Sequence, residues 1–321
     1  MVNLRYHIVS IVAVFLALGI GVVMGTTVVE RVTVDTLNDN LRRVEGSIAD
    51  VRAENAALSE AVAKGAAFAE QAADQLVAGA LAGVPVLVVT TPGIDRQPVE
   101  ALLEVLATAG AAPAGLLRFS NRMNLETDVE VRSLAEAVGV PPGSASTVRQ
   151  LALNRLAFTL DGAVPDAPPL GAVVAAGFAT YEPPATGTGG GGTDAAAATV
   201  ESFPIPGLRV VVVSGPGTEV PDAELAEPFT RALVQGEDPA PRVVAAVLGP
   251  PGPDQDPPEP DVVGLLRADG ALEPRLSTVD NLATVEGRIA AALAVRDLAA
   301  PRTGHFGVGP GADRLLPGPP A

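Results

Sequence analysis

The sequence predicts an α/β protein carried on a membrane: an N-terminal single transmembrane helix, a coiled-coil stalk, then an extracytoplasmic α/β domain with a largely parallel sheet. Three observations lead there. An uncharged apolar run fills residues 8–29, apolar heptads follow it, and beyond residue 83 short continuous apolar runs alternate with helix-patterned stretches. The expected parts are a cytoplasmic tip and membrane anchor at 1–31, the stalk at 32–82, the α/β domain at 83–300, and a Gly/Pro-rich tail at 301–321.

The apolar run comes first. No charged residue lies between His7 and Glu30. At ~1.5 Å per residue such a helix crosses a hydrocarbon core of ~30 Å. A secretion signal has a shorter apolar region, about 7–15 residues, and ends in small residues at a cleavage site. Here the run continues through "GVVMGTTVV", which favours an uncleaved signal anchor over a cleaved signal. Arg5 precedes the run and Glu30 follows it, so the positive-inside bias puts the N-terminus in the cytoplasm and the bulk of the chain outside the cytoplasmic membrane. Ala13, Ala17, Gly21 and Gly25 recur every four residues, the last two as GxxxG. Small residues on one stripe let a second helix approach closely in lipid, so these four are candidate dimerisation residues.

The stalk is read from its period. Val34, Leu37, Leu41, Val44, Ile48, Val51, Asn55, Leu58 and Val62 alternate spacings of three and four, with a positions at 34, 41, 48, 55 and 62. Four sustained heptads favour a coiled coil over an amphipathic helix lying on its own domain. Leu37, Leu41, Val44, Ile48, Val51, Asn55 and Leu58 are therefore expected at a dimer seam. Asn55 at a would fix register and two-strandedness, and Gly46 falls at the exposed f position. The e and g positions carry few complementary charges and do not select between an identical and a different partner strand. Thr27 and Glu30 would occupy a and d just above the membrane, so the frame breaks there.

Beyond Gly83 the elements alternate. "VPVLVVT" at 84–90 reads as a strand buried on both faces, the usual case in parallel sheets. A helix is expected at Pro98–Ala109, a strand at Ala114–Phe119, helices at Glu126–Val138 and Ser146–Leu160, and a short helix and strand within Pro169–Tyr181. Loop 183–199, with its glycine run, has no apolar period. The pattern then restarts with a strand at Leu208–Ser214, a helix at Ala223–Leu233 and a strand at Arg242–Leu248. A proline-rich loop follows at 249–261. Val262–Arg267 reads as a short helix, Leu276–Val279 as a strand edge, and Asp280–Leu298 as the last helix, with Asp280 as its N-cap. This alternation predicts a layered fold.

Several chemistries are disfavoured. "TTPG" and "VSGPG" follow strands, as nucleotide loops do, but neither is a GxGxxG or a GxxxxGK[ST]. Ser277, Asp280 and His305 contain the residue types of a hydrolytic triad, yet Ser277 is on no nucleophile elbow and His305 falls in the tail expected to be mobile, so no catalytic residue is assigned. The formal net charge of −16, with Lys64 the one lysine, opposes nucleic-acid binding. Aromatic residues make up 3% of the chain, too few for the girdles of a membrane barrel. There is no cysteine, so disulfides and thiolate metal sites are excluded.

"NLRYHIVSIVAVFLALGIGVVMG", the heptads, "VLVVTTPG", "LSTVDN", "GRIA" and "GHFGVGPGA" occur in order along nearly the whole chain. In these segments the sequence resembles the actinobacterial MctB-type copper-transport family, which includes the SteB-type cell-separation proteins. The resemblance implies a non-enzymatic envelope protein with a role in copper transport or homeostasis, with an outer-membrane location as the alternative to the cytoplasmic membrane. Its other branch implies control of cell separation and peptidoglycan splitting with a SteA-like membrane-associated partner. It carries over no cofactor beyond copper itself, and no catalytic or metal residues. Copper prefers Cys, Met and His, and the chain offers Met1, Met24, Met123, His7 and His305. Of these, His305 is the one exterior imidazole and the weak candidate ligand. A homodimeric scaffold, held through stalk and membrane helix and in contact with the lipid bilayer, is the mechanism the residues favour.

Overall fold

The computed structural model describes residues 4–161, 170–184, 199–235, 242–249, 260–300 and 302–318; for residues 4 and 26–39 it describes the backbone alone. The chain divides into two compact units, Met1–Gly65 and Ala66–Ala321. Most of loops 183–199 and 249–261 lies outside the described residues, as do Met1 and the side chains of Thr27, Glu30, Val34 and Leu37.

The first unit is helical throughout its described length and belongs to helix α1, Leu4–Val77. Within it Arg5–Gly25 is long and apolar enough to cross a membrane, with mean hydropathy 2.7 and none of it buried inside the chain. The heptad residues are equally uncovered. Leu41, Val44, Ile48, Val51, Leu58 and Val62 are 45–72% exposed.

The second unit is built on a seven-stranded sheet. Its strands are β1 Pro85–Thr90, β2 Ala112–Phe119, β3 Ala179–Glu182, β4 Arg209–Ser214, β5 Val243–Val247, β6 Leu276–Val279 and β7 His305–Phe306. The order across the sheet is β3-β2-β1-β4-β5-β6-β7. Every neighbouring pair is parallel except β2 with β3. Helices cover both faces, which explains the continuous apolar runs of the strands. In β1, Leu87 and Val89 enter one core while Val86 and Val88 enter the other. Strands β4 and β5 split in the same way, with Val210, Val212, Val243 and Ala245 on the first side and Val211, Val213, Val244 and Ala246 on the second.

The first face packs against α3 Asp128–Val138, α4 Ala145–Asp161, α5 Leu170–Ala175, α6 Ala226–Val234 and α7 Val262–Arg267. The second packs against α2 Arg96–Thr108, α8 Val285–Asp297 and the end of α1, where Ala73 and Val77 are buried together with Leu81 just beyond it. From Ile289 to Val295 every residue of α8 is buried, as befits an Ala-rich helix enclosed on all sides.

Local chemistry sets the boundaries. Asp95 caps α2 by accepting from the Gln97 amide, so the helix starts at Arg96 and Pro98 falls in its first turn, where a missing N–H is tolerated. Thr127 and Glu130 form a capping box on α3.

Three expectations are corrected. Asp280 does not cap the last helix: α8 begins at Val285, and Thr284 accepts from the Gly287 amide at 3.1 Å. Strand β6 is not the sheet edge, because β7 pairs outside it. The tail from 302 to 318 is not loose but held against the domain, through bonds from its backbone to Arg267 and Asp280.

Candidate functional site

Two places in the second unit bring chemistry-bearing residues together. One lies at the C-terminal ends of β1 and β4, where the strand order reverses and where doubly wound sheets hold ligands. Here the two loops join each other. The Thr91 amide donates to the Val213 carbonyl at 3.1 Å, and the Glu219 amide to the Pro92 carbonyl at 2.9 Å. Gly93, at φ +87°, has no room for a Cβ, which would overlap the Gly217 carbonyl oxygen. Beneath this seam Thr91 Oγ1 donates to Ser214 Oγ at 3.1 Å, and Ser214 Oγ donates to Asp222 Oδ1 at 2.5 Å. The second Asp222 oxygen accepts from the Val262 amide, at 2.8 Å, at the start of α7. Gly93 of "TTPG" and Gly217 of "VSGPG" thus serve a loop-to-loop contact, and the crevice is bridged by the chain itself.

The second place is the C-terminal tail. Arg267, the last residue of α7, pairs with Asp280 at 2.8 Å, and the two side chains are 6% and 9% exposed. Asp280 also accepts from the Val308 amide at 2.8 Å and the Gly309 amide at 3.0 Å. Arg267 donates to the Phe306 and Pro310 carbonyls, each at 2.9 Å, and through Nε to Thr278 Oγ1 at 2.8 Å. Four of its five N–H groups are therefore engaged. Gly307, at φ +127°, passes so close to the Asp280 carboxylate that a Cβ would overlap it. A charged pair buried under the tail, satisfied by tail backbone, keeps "GHFGVGPG" in place.

His305 sits at the rim of this cluster. Its Nδ1 is 2.9 Å from Thr278 Oγ1. Its backbone amide donates to Asp313 Oδ2 at 2.9 Å. Burial and the neighbouring Arg267 guanidinium lower its pKa, and Asp313 and Glu273 oppose them in part.

The triad residues are not arranged as one. Ser277 Oγ accepts from the Gly304 amide at 3.3 Å, Asp280 is taken by Arg267, and the partner of His305 is Thr278. Among the described residues no three His, Cys, Asp or Glu side chains stand together as metal ligands. Met123 is fully buried in the core, whereas Met24 is 68% exposed on the membrane-type helix. A recess of about 380 Å³ between α2 and strands β2 and β3 is lined by Leu103, Leu106, Pro113 and Leu116 with Glu104 and Glu182, and it offers neither imidazole nor sulfur. The candidate dimerisation residues Ala13, Ala17, Gly21 and Gly25 are exposed, as is Asn55.

Arg267 and the Asp280 amide contacts escaped sequence reading. Two signals for them exist. Thr278 and Asp280 alternate along one strand and its exit, and an Arg closes the short helix ahead of them. Neither signal says that the partner lies beyond residue 304.

A doubly wound α/β domain preceded by a long helix with a membrane-type segment thus defines the class. The family described as "Copper transport outer membrane protein, MctB" matches residues 1–317, and the chain belongs to it. The chain is similar to the copper transporter MctB of Mycobacterium tuberculosis and of Mycobacterium bovis, at 29% identity over 97% of this chain and 98% of theirs. It is 28% identical to the copper transporter MctB of Mycobacterium leprae, over 98% of this chain and 99% of that one.

Proposed function

We propose that this member of the copper-transport family is a non-enzymatic membrane scaffold, dimeric through its stalk, whose α/β domain stands outside the cytoplasmic membrane. One observation carries the reading: six heptad residues from Leu41 to Val62 are at least 45% exposed on a single helix. Full burial of such a side chain stabilises by about 1.5–3 kcal/mol. A second strand in the same register covers all six at once.

The role in copper handling comes from the relatives' names. Among the described residues no three His, Cys, Asp or Glu side chains stand together, and His305 and the buried Met123 are apart from any such group, so the reading places no resident ion in the second unit. Copper is then the cargo of a pathway that the scaffold serves. Calorimetric titration of Cu(I) and Cu(II) into the full chain in detergent, as wild type and His305→Ala, tests this. The expected result is weak binding that the substitution leaves within about twofold, with no stoichiometric sub-micromolar site. Tight stoichiometric binding in the wild type would overturn the scaffold reading. If His305→Ala removed it, the tail would be the site.

The orientation is tested separately. A reporter fused after Ala321 should be active only outside the cytoplasm, and the mature chain should keep Met24. A mature N-terminus beyond Gly25 would refute the anchor.

A further inference from the structure

We propose that the C-terminal segment 302–318 is a pH-sensitive clasp, closed over strand β6 while His305 is neutral and loosened when its imidazole takes up a proton. The clasp turns on one relay. An arginine N–H can only donate, so Arg267 Nε donates to Thr278 Oγ1 at 2.8 Å. The Thr278 hydroxyl keeps one hydrogen of its own, and the acceptor beside it is His305 Nδ1 at 2.9 Å. Thr278 is fully buried, so satisfying its hydroxyl hydrogen assigns Nδ1 as the acceptor and the imidazole proton to Nε2.

Protonation reverses the relay. Nδ1 becomes a donor, so Thr278 Oγ1 faces two donors while its own hydrogen loses its acceptor. The new charge also faces Arg267. The charged groups around the imidazole are Arg267 on α7, Glu273 between α7 and β6, and Asp313 on the tail, with Asp280 paired to Arg267. Burial and Arg267 outweigh the two carboxylates, so the folded pKa is depressed. A depressed histidine contributes stability above its unfolded pKa, about 6.5, and that contribution is lost as pH falls below it.

The segment at stake is short and depends on these bonds. Strand β7 contributes two paired positions, Thr278 with His305 and Val279 with Phe306. The Thr278 amide donates to the Gly304 carbonyl at 3.1 Å, and the Asp280 amide to the Phe306 carbonyl at 3.2 Å. Loosening at His305 therefore reaches both sides of the Arg267–Asp280 pair.

Hydrogen exchange on the full chain in detergent tests the clasp. After correction for intrinsic rates, the Val308 and Gly309 amides should exchange roughly threefold faster at pH about 5.5 than at about 7.5, with a ceiling near tenfold for a histidine of ordinary pKa in the opened segment. Amides of the β1–β4 ladder should not respond. His305→Asn places an amide oxygen near the Nδ1 position without a titrating group, and should hold the clasp closed at both values. An equal acceleration in His305→Asn would overturn the proposal, as would no acceleration in the wild type. An NMR titration placing the wild-type His305 pKa at or above about 6.5 would overturn it without any variant.

Discussion

Asp280→Ala lowers the melting temperature of the α/β domain by roughly 6–20 °C. Removing one partner of a buried ion pair costs about 3–5 kcal/mol, because the other charge stays buried without compensation. Here that charge is Arg267, whose side chain is 6% exposed. The same substitution leaves the Val308 and Gly309 amides without their acceptor. In a unit of this size each kcal/mol shifts the midpoint by about 2–4 °C. Scanning calorimetry of the full chain in detergent measures the shift. Replacing both partners, Arg267→Met with Asp280→Leu, removes both charges and should lose less than Asp280→Ala alone. A single-variant midpoint within about 2 °C of wild type would show that the pair is not what holds the tail.

The second large effect is on association. Ile48 falls at an a position and is 45% exposed on the isolated helix. Ile48→Asp would place two carboxylates against each other in the seam of a dimer, one from each strand. A cost of about 3–5 kcal/mol corresponds to a dissociation constant roughly 100- to 4000-fold weaker. Sedimentation of the protein beginning at residue 32 should show a dimer for the wild type and a monomer for Ile48→Asp at micromolar concentration. Asn55→Ile should act in the opposite sense, raising thermal stability while relaxing the choice of oligomer. A wild-type monomer under these conditions would rule out the stalk dimer.

Much of the fold is visible in the sequence because its strands are buried on both faces. "RVVVVS" and "VVAAV" carry no polar interruption, since alternate residues serve two cores. Helix α7 and strand β6 occupy the residues expected for them, Val262–Arg267 and Leu276–Val279. The start of α8 departs from the expected Asp280 for a local reason. Asp280 and Thr284 are both good caps, and the choice between them is made elsewhere, by Arg267 thirteen residues earlier. Glycine and proline in the tail suggested mobility, whereas Gly307 is required by close approach to the Asp280 carboxylate. Composition registers the freedom of glycine, and only the folded chain shows what uses it. The expected seam residues of the stalk remain a sequence argument, since the partner that would bury them is another chain.

Helix α1 runs without interruption from Leu4 to Val77, and this continuity constrains how copies can meet. At about 100° per residue, the 16 residues from Gly25 to Leu41 sweep some 1600°, which leaves the two side chains about 160° apart. Gly21 and Val44, 23 residues apart, differ by about 140°. The glycines of the membrane stretch and the leucines and valines above it therefore look in nearly opposite directions. Two straight rods zipped along the upper seam would turn their glycine grooves outward toward lipid. Pairing through both stretches at once therefore requires the helix to change its twist between Gly25 and Leu41.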